Sequence, residues 1–116
     1  MRQFKAGEPL TIAGDGDQTR DFTHVSDIVR ANMLAMTSPK VGKGEVMNAG
    51  AGERHSVNEI AKMFGGETKH IDARPGEARD TLADISLTTE LIGWEPNVKF
   101  NDGLRELLEE NGIEAK

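Results

Sequence analysis

The clearest periodic pattern of apolar residues lies in residues 57–64 and predicts an amphipathic helix. The apolar side chains fall at positions i, i+3, i+4 and i+7, where they share one helical face: Val57, Ile60, Ala61 and Phe64. Ser56 precedes the segment as a helix N-cap, and Glu59 stands where a capping box places its acidic residue. Gly65 and Gly66 then end the predicted helix.

A second helix is predicted for residues 26–37, with Ser26 or Asp27 as its N-cap. Its apolar residues are too widely spread for a single stripe: Ile28, Val29, Ala31, Leu34, Ala35 and Met36. We therefore expect this helix to be covered on more than one side. Two shorter helices are predicted for residues 86–92 and 102–110, the second with Asn101 as its cap.

Short strands are predicted for residues 10–13, 45–49 and 68–71, and residues 80–83 are expected to be extended. The sequence contains no internal repeat and no long linker, and a chain of this length can bury about two-thirds of its unfolded surface. These elements predict one α+β domain over residues 1–116, a small mixed domain of short strands and about four helices.

Composition and charge narrow the functional classes. The chain has 116 residues, a formal net charge of −6 and no cysteine. Phosphate backbones attract basic surfaces, so we expect no nucleic-acid partner. Without cysteine there is no disulfide framework and no thiolate ligand, and the three histidines lack metal-ligand spacing, so no metal site is expected. No apolar run has membrane length and no signal-like segment follows Met1, so we expect a cytoplasmic protein without membrane contact.

Two arginines next to predicted turns are the candidate binding groups. Arg20 follows a Gly-Asp-Gly-Asp run at residues 14–17, and Arg74 precedes a Pro-Gly pair that favours a tight loop. In an acidic chain, binding a diphosphate requires positive charge at a few positions, and the guanidinium fork suits that ligand. On residue types alone, two other interpretations stay open: a surface ion pair between Arg20 and Asp21, and a solvent-exposed turn arginine at Arg74.

Three motifs occur in a fixed order along the chain. The first is Gly14-Asp15-Gly16-x-Gln18-x-Arg20-Asp21-Phe22-x-His24-Val25-x-Asp27. The second is Asn48-Ala49-Gly50-Ala51-Gly52 followed by Ser56-Val57, and the third is Arg74-Pro75-Gly76-Glu77 leading to Ala83-Asp84 and Gly93-Trp94-x-Pro96. Over nearly its whole length the chain thus resembles the C-terminal, substrate-binding lobe of nucleotide-sugar epimerases and dehydratases, the extended short-chain dehydrogenase/reductase family.

The resemblance implies three substrate-binding residues and no catalytic residue in this chain. In the family, arginines at the positions of Arg20 and Arg74 hold the phosphates of the nucleotide. An acidic residue at the position of Glu77, often aspartate, accepts hydrogen bonds from the ribose hydroxyls. Glutamate is one methylene longer than aspartate, so a solvated loop acid is the alternative interpretation of Glu77. Nearby Arg79 has no support beyond proximity.

The resemblance also implies a cofactor and a second domain. Family members carry an N-terminal Rossmann domain with a glycine motif for NAD(P) and a catalytic Tyr-x-x-x-Lys pair. This sequence has no tyrosine, and its glycine-rich run at residues 48–52 lacks the dinucleotide-binding spacing and suits a turn better than a phosphate cradle. We therefore expect no cofactor bound by this chain alone, NAD(P) in the complete enzyme, and no turnover by the chain on its own.

The leading hypothesis is the nucleotide-sugar-binding portion, for UDP-sugars in the first place, of an NAD-dependent sugar epimerase of the UDP-glucose 4-epimerase type. Its expected partners are a nucleotide-diphosphate sugar and an N-terminal Rossmann half in the same or a neighbouring reading frame. A 4,6-dehydratase acting on dTDP-glucose, or a reductase, would use a very similar lobe. The rival hypothesis is a non-catalytic, stand-alone binding module or an inactive fragment. Trp94 is expected to be a packing residue.

Overall fold

The computed structural model describes every residue from Met1 to Lys116. Five helices and four short strands follow one another in this order: α1 (Arg2–Lys5), β1 (Leu10–Ala13), β2 (Thr19–Arg20), α2 (Val25–Thr37), β3 (His55–Ser56), α3 (Val57–Phe64), β4 (Thr68–Ile71), α4 (Ser86–Ile92) and α5 (Phe100–Glu110). The predicted small mixed α+β fold is confirmed. None of the helices combines the length and the apolar character needed to cross a membrane.

The chain divides into two compact units, each assembled from separate segments. Unit 1 contains Met1–Arg20, Arg54–Thr81 and Leu104–Lys116, and unit 2 contains Asp21–Glu53 and Leu82–Gly103. Two of the predicted strands, residues 10–13 and 68–71, have the observed bounds of β1 and β4.

In unit 1, β1 and β4 pair in parallel with Leu10 opposite Thr68 and Ala13 opposite Ile71. The two-residue strands β2 and β3 pair antiparallel, with Thr19 opposite Ser56. The buried centre of the unit is formed by Phe64, Leu108 and Ile113. These contacts join α3, α5 and the C-terminal segment into one apolar core.

Helix α3 begins and ends as its sequence predicts. The Ser56 hydroxyl accepts a hydrogen bond from the Glu59 amide at 3.1 Å, and the Glu59 carboxylate accepts one from the Ser56 amide at 2.6 Å. This reciprocal pair satisfies amides that the first helical turn leaves open. Gly65 ends the helix with φ of 71°, a left-handed conformation that glycine adopts without steric cost.

In unit 2, α2 and α4 enclose a core of Ala31, Ile92 and Trp94. Trp94 is completely buried, and its indole N–H donates to the main-chain oxygen of Asp27 at 2.8 Å. Its predicted packing role is confirmed. The hydrogen bond also fixes the orientation of the ring, because a buried indole N–H needs an acceptor.

A buried carboxylate, that of Asp27, holds the segment after Trp94 to the start of α2. Asp27 is only 2% exposed and accepts hydrogen bonds from the amides of Asn97 and Val98, both near 3.0 Å, and from the Arg30 guanidinium at 2.9 Å. Burial alone would raise the pKa of this carboxyl. The hydrogen bonds from Val98, Asn97 and Arg30 together outweigh burial and place the pKa below its usual 3.8.

Some predicted element boundaries are wrong. Helix α2 is capped by His24, whose ring nitrogen accepts from the Ser26 amide, because the Asp27 carboxylate is engaged with Asn97 and Val98. Helix α5 begins at Phe100, which places Asn101 inside the helix instead of at its cap.

Two other predictions in unit 2 also fail. Residues 45–49 belong to no sheet, since no strand lies beside them. Helix α2 is covered on one face only, and four apolar side chains on the opposite face are exposed: Val25, Val29, Met33 and Met36.

Replacing Asp27 by asparagine should lower the free energy of unfolding by about 2–4 kcal/mol at neutral pH, measured by urea denaturation. The side-chain amide of asparagine would direct an N–H donor at the main-chain amides of Asn97 and Val98, which are donors themselves. The substitution would also remove the negative charge that is paired with Arg30. The exposed carboxyl of Asp72 supplies the control, and Asp72→Asn should change the stability by less than about 0.5 kcal/mol.

The stabilisation that the Asp27 carboxylate provides should depend on pH in a defined direction. Because the folded-state pKa of Asp27 lies below the unfolded value, its stabilisation is complete above the unfolded pKa and is lost as the pH falls through the folded pKa. The stability difference between the unmutated chain and Asp27→Asn should therefore shrink below about pH 4. Equal stability of the two proteins at neutral pH would contradict this account.

Candidate functional site

The candidate site starts at the tight turn that follows β1. Gly14 and Gly16 have φ of 69° and 80°, which glycine adopts without strain. Asp15 Oδ1 accepts a hydrogen bond from the Asp17 amide at 3.0 Å, the local bond by which aspartate stabilises such turns. Gln18, nearly buried, donates to the Ala13 oxygen at 2.9 Å. The predicted turn is confirmed and returns the chain toward β2.

Asn58, near the start of α3, holds this turn in place. Its side-chain amide donates to the main-chain oxygen of Asp15 at 3.0 Å and to the Asp17 carboxylate at 2.8 Å. The Asn58 main-chain amide donates to the Gly16 oxygen at 3.0 Å. A Cβ added at Gly16 would lie 2.1 Å from Asn58 Oδ1, so a side chain there would displace the Asn58 amide that holds the turn.

Arg20, the second residue of β2, points its guanidinium at Glu77. Nη2 of Arg20 lies 3.0 Å from Oε1 of Glu77, and Nη1 donates to the main-chain oxygen of Thr19 at 2.7 Å. The Arg20 side chain is 25% exposed and that of Glu77 is 34% exposed. The ion pair of Arg20 is therefore with Glu77 and is partly shielded from water.

A second turn carries both remaining predicted residues, Arg74 and Glu77. The Glu77 amide donates to the Arg74 oxygen at 3.3 Å, and Gly76 between them has φ of 77°. Proline followed by a glycine with positive φ is the pattern of a type II turn. Arg74 and Glu77 thus stand at the two ends of one hydrogen-bonded turn.

The two turns line one open pocket of about 180 Å³ in unit 1. Its charged lining consists of Asp15 from the first turn and Arg74, Glu77 and Arg79 from the second segment. The Arg74 side chain is exposed and takes part in no hydrogen bond or ion pair, so its guanidinium is available to an anion. The structure therefore brings Arg74 and Glu77 into one pocket, with Arg20 attached to it through Glu77.

Arg79 is a residue of this pocket that the sequence pattern did not single out. Its Nη1 donates to both oxygens of Asp15, at 2.8 and 2.9 Å. Through this hydrogen bond Arg79 lowers the pKa of the Asp15 carboxyl below 3.8, and Asp15 in turn raises the pKa of Arg79. The two residues lie 64 positions apart in the chain, so no local spacing could reveal the pair.

The glycine-rich run at residues 48–52 does not fit a dinucleotide phosphate. Asp21 Oδ1 accepts the Ala51 amide at 2.7 Å, and Asp21 Oδ2 accepts the Gly52 amide at 3.1 Å. Gly50 is buried, and a Cβ there would lie 2.7 Å from the same carboxylate. Since an acidic side chain already occupies the amides that would cradle a phosphate, this run is a structural turn.

His70 and His55 make structural contacts within unit 1. Nδ1 of His70 lies 2.7 Å from the Gly14 oxygen, and Nδ1 of His55 lies 3.6 Å from Glu59 Oε2. No group of three or more His, Cys, Asp or Glu side chains is arranged to hold a metal ion.

Comparison with known proteins gives matches along most of the chain. A family model described as GDP-mannose 4,6 dehydratase matches residues 1–107. A putative UDP-glucose 4-epimerase of Methanocaldococcus jannaschii is 35% identical over 113 residues, which cover 92% of this chain and 35% of that protein. The chain thus spans about a third of the length of the curated relatives it matches.

Solved structures agree with the sequence matches. The UDP-glucose 4-epimerase of Thermotoga maritima with UDP-glucose is 34% identical, with a TM-score of 0.83 over 95% of this chain and 37% of that one. The UDP-glucuronic acid 4-epimerase of Bacillus cereus, in complex with UDP-glucuronic acid and NAD, is 33% identical, with a TM-score of 0.83 over 95% of this chain and 38% of that one. The chain belongs to the extended short-chain dehydrogenase/reductase family of nucleotide-sugar epimerases and dehydratases.

Proposed function

We propose that this chain is the nucleotide-sugar-binding portion of an NAD-dependent sugar epimerase, and that Arg20 and Arg74 hold the diphosphate of a UDP-sugar. The observation that carries the proposal is the link between two separate loops. Arg20 is ion-paired with Glu77, and Glu77 shares a hydrogen-bonded turn with Arg74, whose guanidinium has no protein partner.

The chemistry of the two arginines suits a diphosphate. A guanidinium stays charged at all physiological pH values and offers paired N–H donors that match phosphate oxygens. Arg74 is exposed and would meet the ligand first, whereas Arg20 would exchange part of its contact with Glu77 for the phosphate. Two cations approaching from different loops fix both the position and the direction of the diphosphate.

Glu77 has two roles in this proposal. Its Oε1 holds Arg20 in the structure, and the carboxylate has further acceptor capacity for the hydroxyls of a ribose. Ligand binding at the diphosphate would place the sugar at a fixed distance from the site of chemistry, which is how remote binding groups contribute to catalysis.

The hydride chemistry is assigned to NAD and to a polypeptide equivalent to the part of the relatives that this chain does not match. NAD, when bound there, supplies the oxidation and reduction of the sugar. The residues of this chain bind and orient the substrate, and its glycine-rich run at residues 48–52 is not offered as a cofactor cradle. The Bacillus cereus relative was solved with both UDP-glucuronic acid and NAD, so a longer relative holds a nucleotide sugar and the cofactor together.

Epimerisation is the first choice of reaction because the curated and solved relatives described above are epimerases. A 4,6-dehydratase is the second candidate, favoured by the description of the matching family model. Both reactions begin from a bound nucleotide-diphosphate sugar, and the diphosphate is common to both, so the roles of Arg20, Arg74 and Glu77 are unchanged between them.

Calorimetric titration with UDP and UDP-glucose should show binding to the chain, and Arg20→Ala and Arg74→Ala should each weaken it about 10- to 100-fold. Each substitution removes charge-assisted hydrogen bonds to the diphosphate. Arg105, an exposed arginine of α5, provides a matched control with the same change of charge. Arg105→Ala should leave the affinity within about twofold, because distant exposed charges are screened by salt.

Two outcomes of this titration would count against the proposal. Unchanged affinity for UDP in both Arg20→Ala and Arg74→Ala would show that neither arginine holds the diphosphate. Absence of UDP binding to the folded, unmutated chain would contradict a diphosphate site complete within it.

The role of Glu77 is tested by comparing UDP with inorganic pyrophosphate, which has no ribose. Glu77→Ala should weaken UDP binding by about 5- to 20-fold, the cost of one hydrogen bond to a charged group, and should weaken pyrophosphate binding less. An equal loss for both ligands would show that Glu77 acts only by holding Arg20. Tighter binding of both UDP and pyrophosphate would show that Glu77 only competes with the ligand for Arg20.

A further inference from the structure

One ion pair lies within the lining of the proposed binding pocket. Asp15 and Arg79 both line the pocket, and Nη1 of Arg79 donates to the two carboxylate oxygens of Asp15 at 2.8 and 2.9 Å. The side chains of Asp15 and Arg79 are 55% and 58% exposed. Ion pairs as exposed as this one contribute little to folding stability. The pair therefore matters mainly through the charge that it gives to the pocket.

The first turn holds the Asp15 carboxylate in place independently of Arg79. Oδ1 of Asp15 accepts the Asp17 amide at 3.0 Å, and the main-chain oxygen of Asp15 accepts the side-chain amide of Asn58, also at 3.0 Å. The hydrogen bond from Arg79 and then that from the Asp17 amide lower the pKa of Asp15 below 3.8, so the group is charged at neutral pH. The turn thus presents a fixed negative charge that holds the longer Arg79 side chain.

Arg79 lies among acidic side chains, whereas Arg74 does not. The hydrogen bond and the charge of Asp15 raise the pKa of Arg79, and the nearby charges of Asp17 and Asp80 add to this effect. Arg74 takes part in no ion pair or hydrogen bond of its side chain. The two ends of the same lining segment therefore differ in charge. An anion bound at Arg74 would meet a surplus of carboxylates as it extends toward Arg79.

The charged groups of the site suit a short phosphate chain. They are three arginines and two carboxylates, which leaves one net positive charge: Arg20, Arg74, Arg79, Asp15 and Glu77. Arg79 adjoins both proposed phosphate-binding residues, because it lines the pocket with Arg74 and its main-chain oxygen accepts from Nη1 of Arg20 at 3.3 Å. A phosphate chain longer than a diphosphate would therefore need the Arg79 cation, whose charge Asp15 cancels.

We propose that Asp15 is a specificity-determining residue, which withholds Arg79 from the ligand and thereby favours a diphosphate over a triphosphate. This inference rests on the proposed function, which places the diphosphate of a nucleotide sugar at Arg20 and Arg74. A nucleoside triphosphate shares the nucleoside and differs in the length and charge of its phosphate chain. Its additional phosphate would find no free cation and would face the Asp15 carboxylate, and such a repulsive element is a usual source of specificity.

Calorimetric titration with pyrophosphate and tripolyphosphate, in buffer without divalent cations, tests the role of Asp15 with phosphate chains alone. Asp15→Asn keeps an oxygen for the Asp17 amide and removes the charge that holds Arg79. It should tighten tripolyphosphate binding about 5- to 20-fold, the effect of one new hydrogen bond to a charged group, and pyrophosphate binding less than about threefold. Glu110→Gln removes the same charge at an exposed position of α5 and should leave both affinities within about twofold.

Nuclear magnetic resonance of the arginine side chains then shows whether Arg79 itself binds the longer chain. Tripolyphosphate should shift the Nε–H signal of Arg79 saturably in Asp15→Asn and leave it in place in the unmutated chain. Tighter binding in Asp15→Asn without that shift would be a general effect of charge and would overturn the proposal. Tripolyphosphate binding that is absent, unchanged or weaker in folded Asp15→Asn would overturn it as well.

A second variant guards against loss of the fold. Asp15→Ser offers a hydroxyl oxygen to the Asp17 amide and should give the same gain for tripolyphosphate. Unfolding of both variants would show that Asp15 serves the fold and would contradict the specificity role.

Titration with UDP-glucose and UTP separates this inference from the proposed function. In Asp15→Asn, the affinity for UTP should rise relative to that for UDP-glucose by about the same 5- to 20-fold factor. If UDP-glucose binds the unmutated chain and Asp15→Asn leaves this ratio unchanged, the specificity role of Asp15 is wrong and the diphosphate site stands. If UDP-glucose does not bind the unmutated chain, the proposed function is contradicted, and the tripolyphosphate titration still decides whether Asp15 withholds Arg79.

Discussion

The candidate site depends on a strand of only two residues that is held from both sides. Thr19 pairs with Ser56 of β3 on one side, and on the other its amide donates to the Arg79 oxygen at 2.9 Å. The Thr19 hydroxyl also donates to the Asp80 carboxylate at 2.6 Å. These bonds fix the backbone at Arg20 and bring the segment that follows Glu77 alongside it. The position of the Arg20 guanidinium therefore follows from backbone pairing.

An acidic chain can present positive charge where its carboxylates are engaged elsewhere. Asp21 accepts the amides of Ala51, Gly52 and Ala83, and Asp27 accepts those of Asn97 and Val98. Each carboxylate joins segments of unit 2 that are distant in sequence. In unit 1 the two carboxylates that line the pocket, Glu77 and Asp15, instead pair with Arg20 and Arg79, which leaves Arg74 as the lining arginine without a partner. A diphosphate would meet this free cation before it competes with Glu77 for Arg20.

Sequence patterns correctly predicted several features that depend on interactions between residues close together in the chain. The capping box of α3, its glycine stop and the turn at residues 14–17 depend on residues within a few positions of one another, and all three are observed. The pair of Asp15 and Arg79 depends on tertiary contacts and had no sequence signal. Residues 45–49 carry a strand pattern, but a strand requires a neighbour, which this chain does not supply. The predicted second covered side of α2 likewise requires a neighbour, and its apolar side chains are exposed in this chain.

The proposed site requires that Arg20 and Arg74 contact the diphosphate directly. Nuclear magnetic resonance of the arginine side chains, with ¹⁵N-labelled chain titrated with UDP, observes these contacts at the guanidinium groups themselves. Direct contact should produce saturable shifts of the Nε–H signals of Arg20 and Arg74, with that of Arg105 unmoved. Saturable binding of UDP that leaves both signals in place would contradict it.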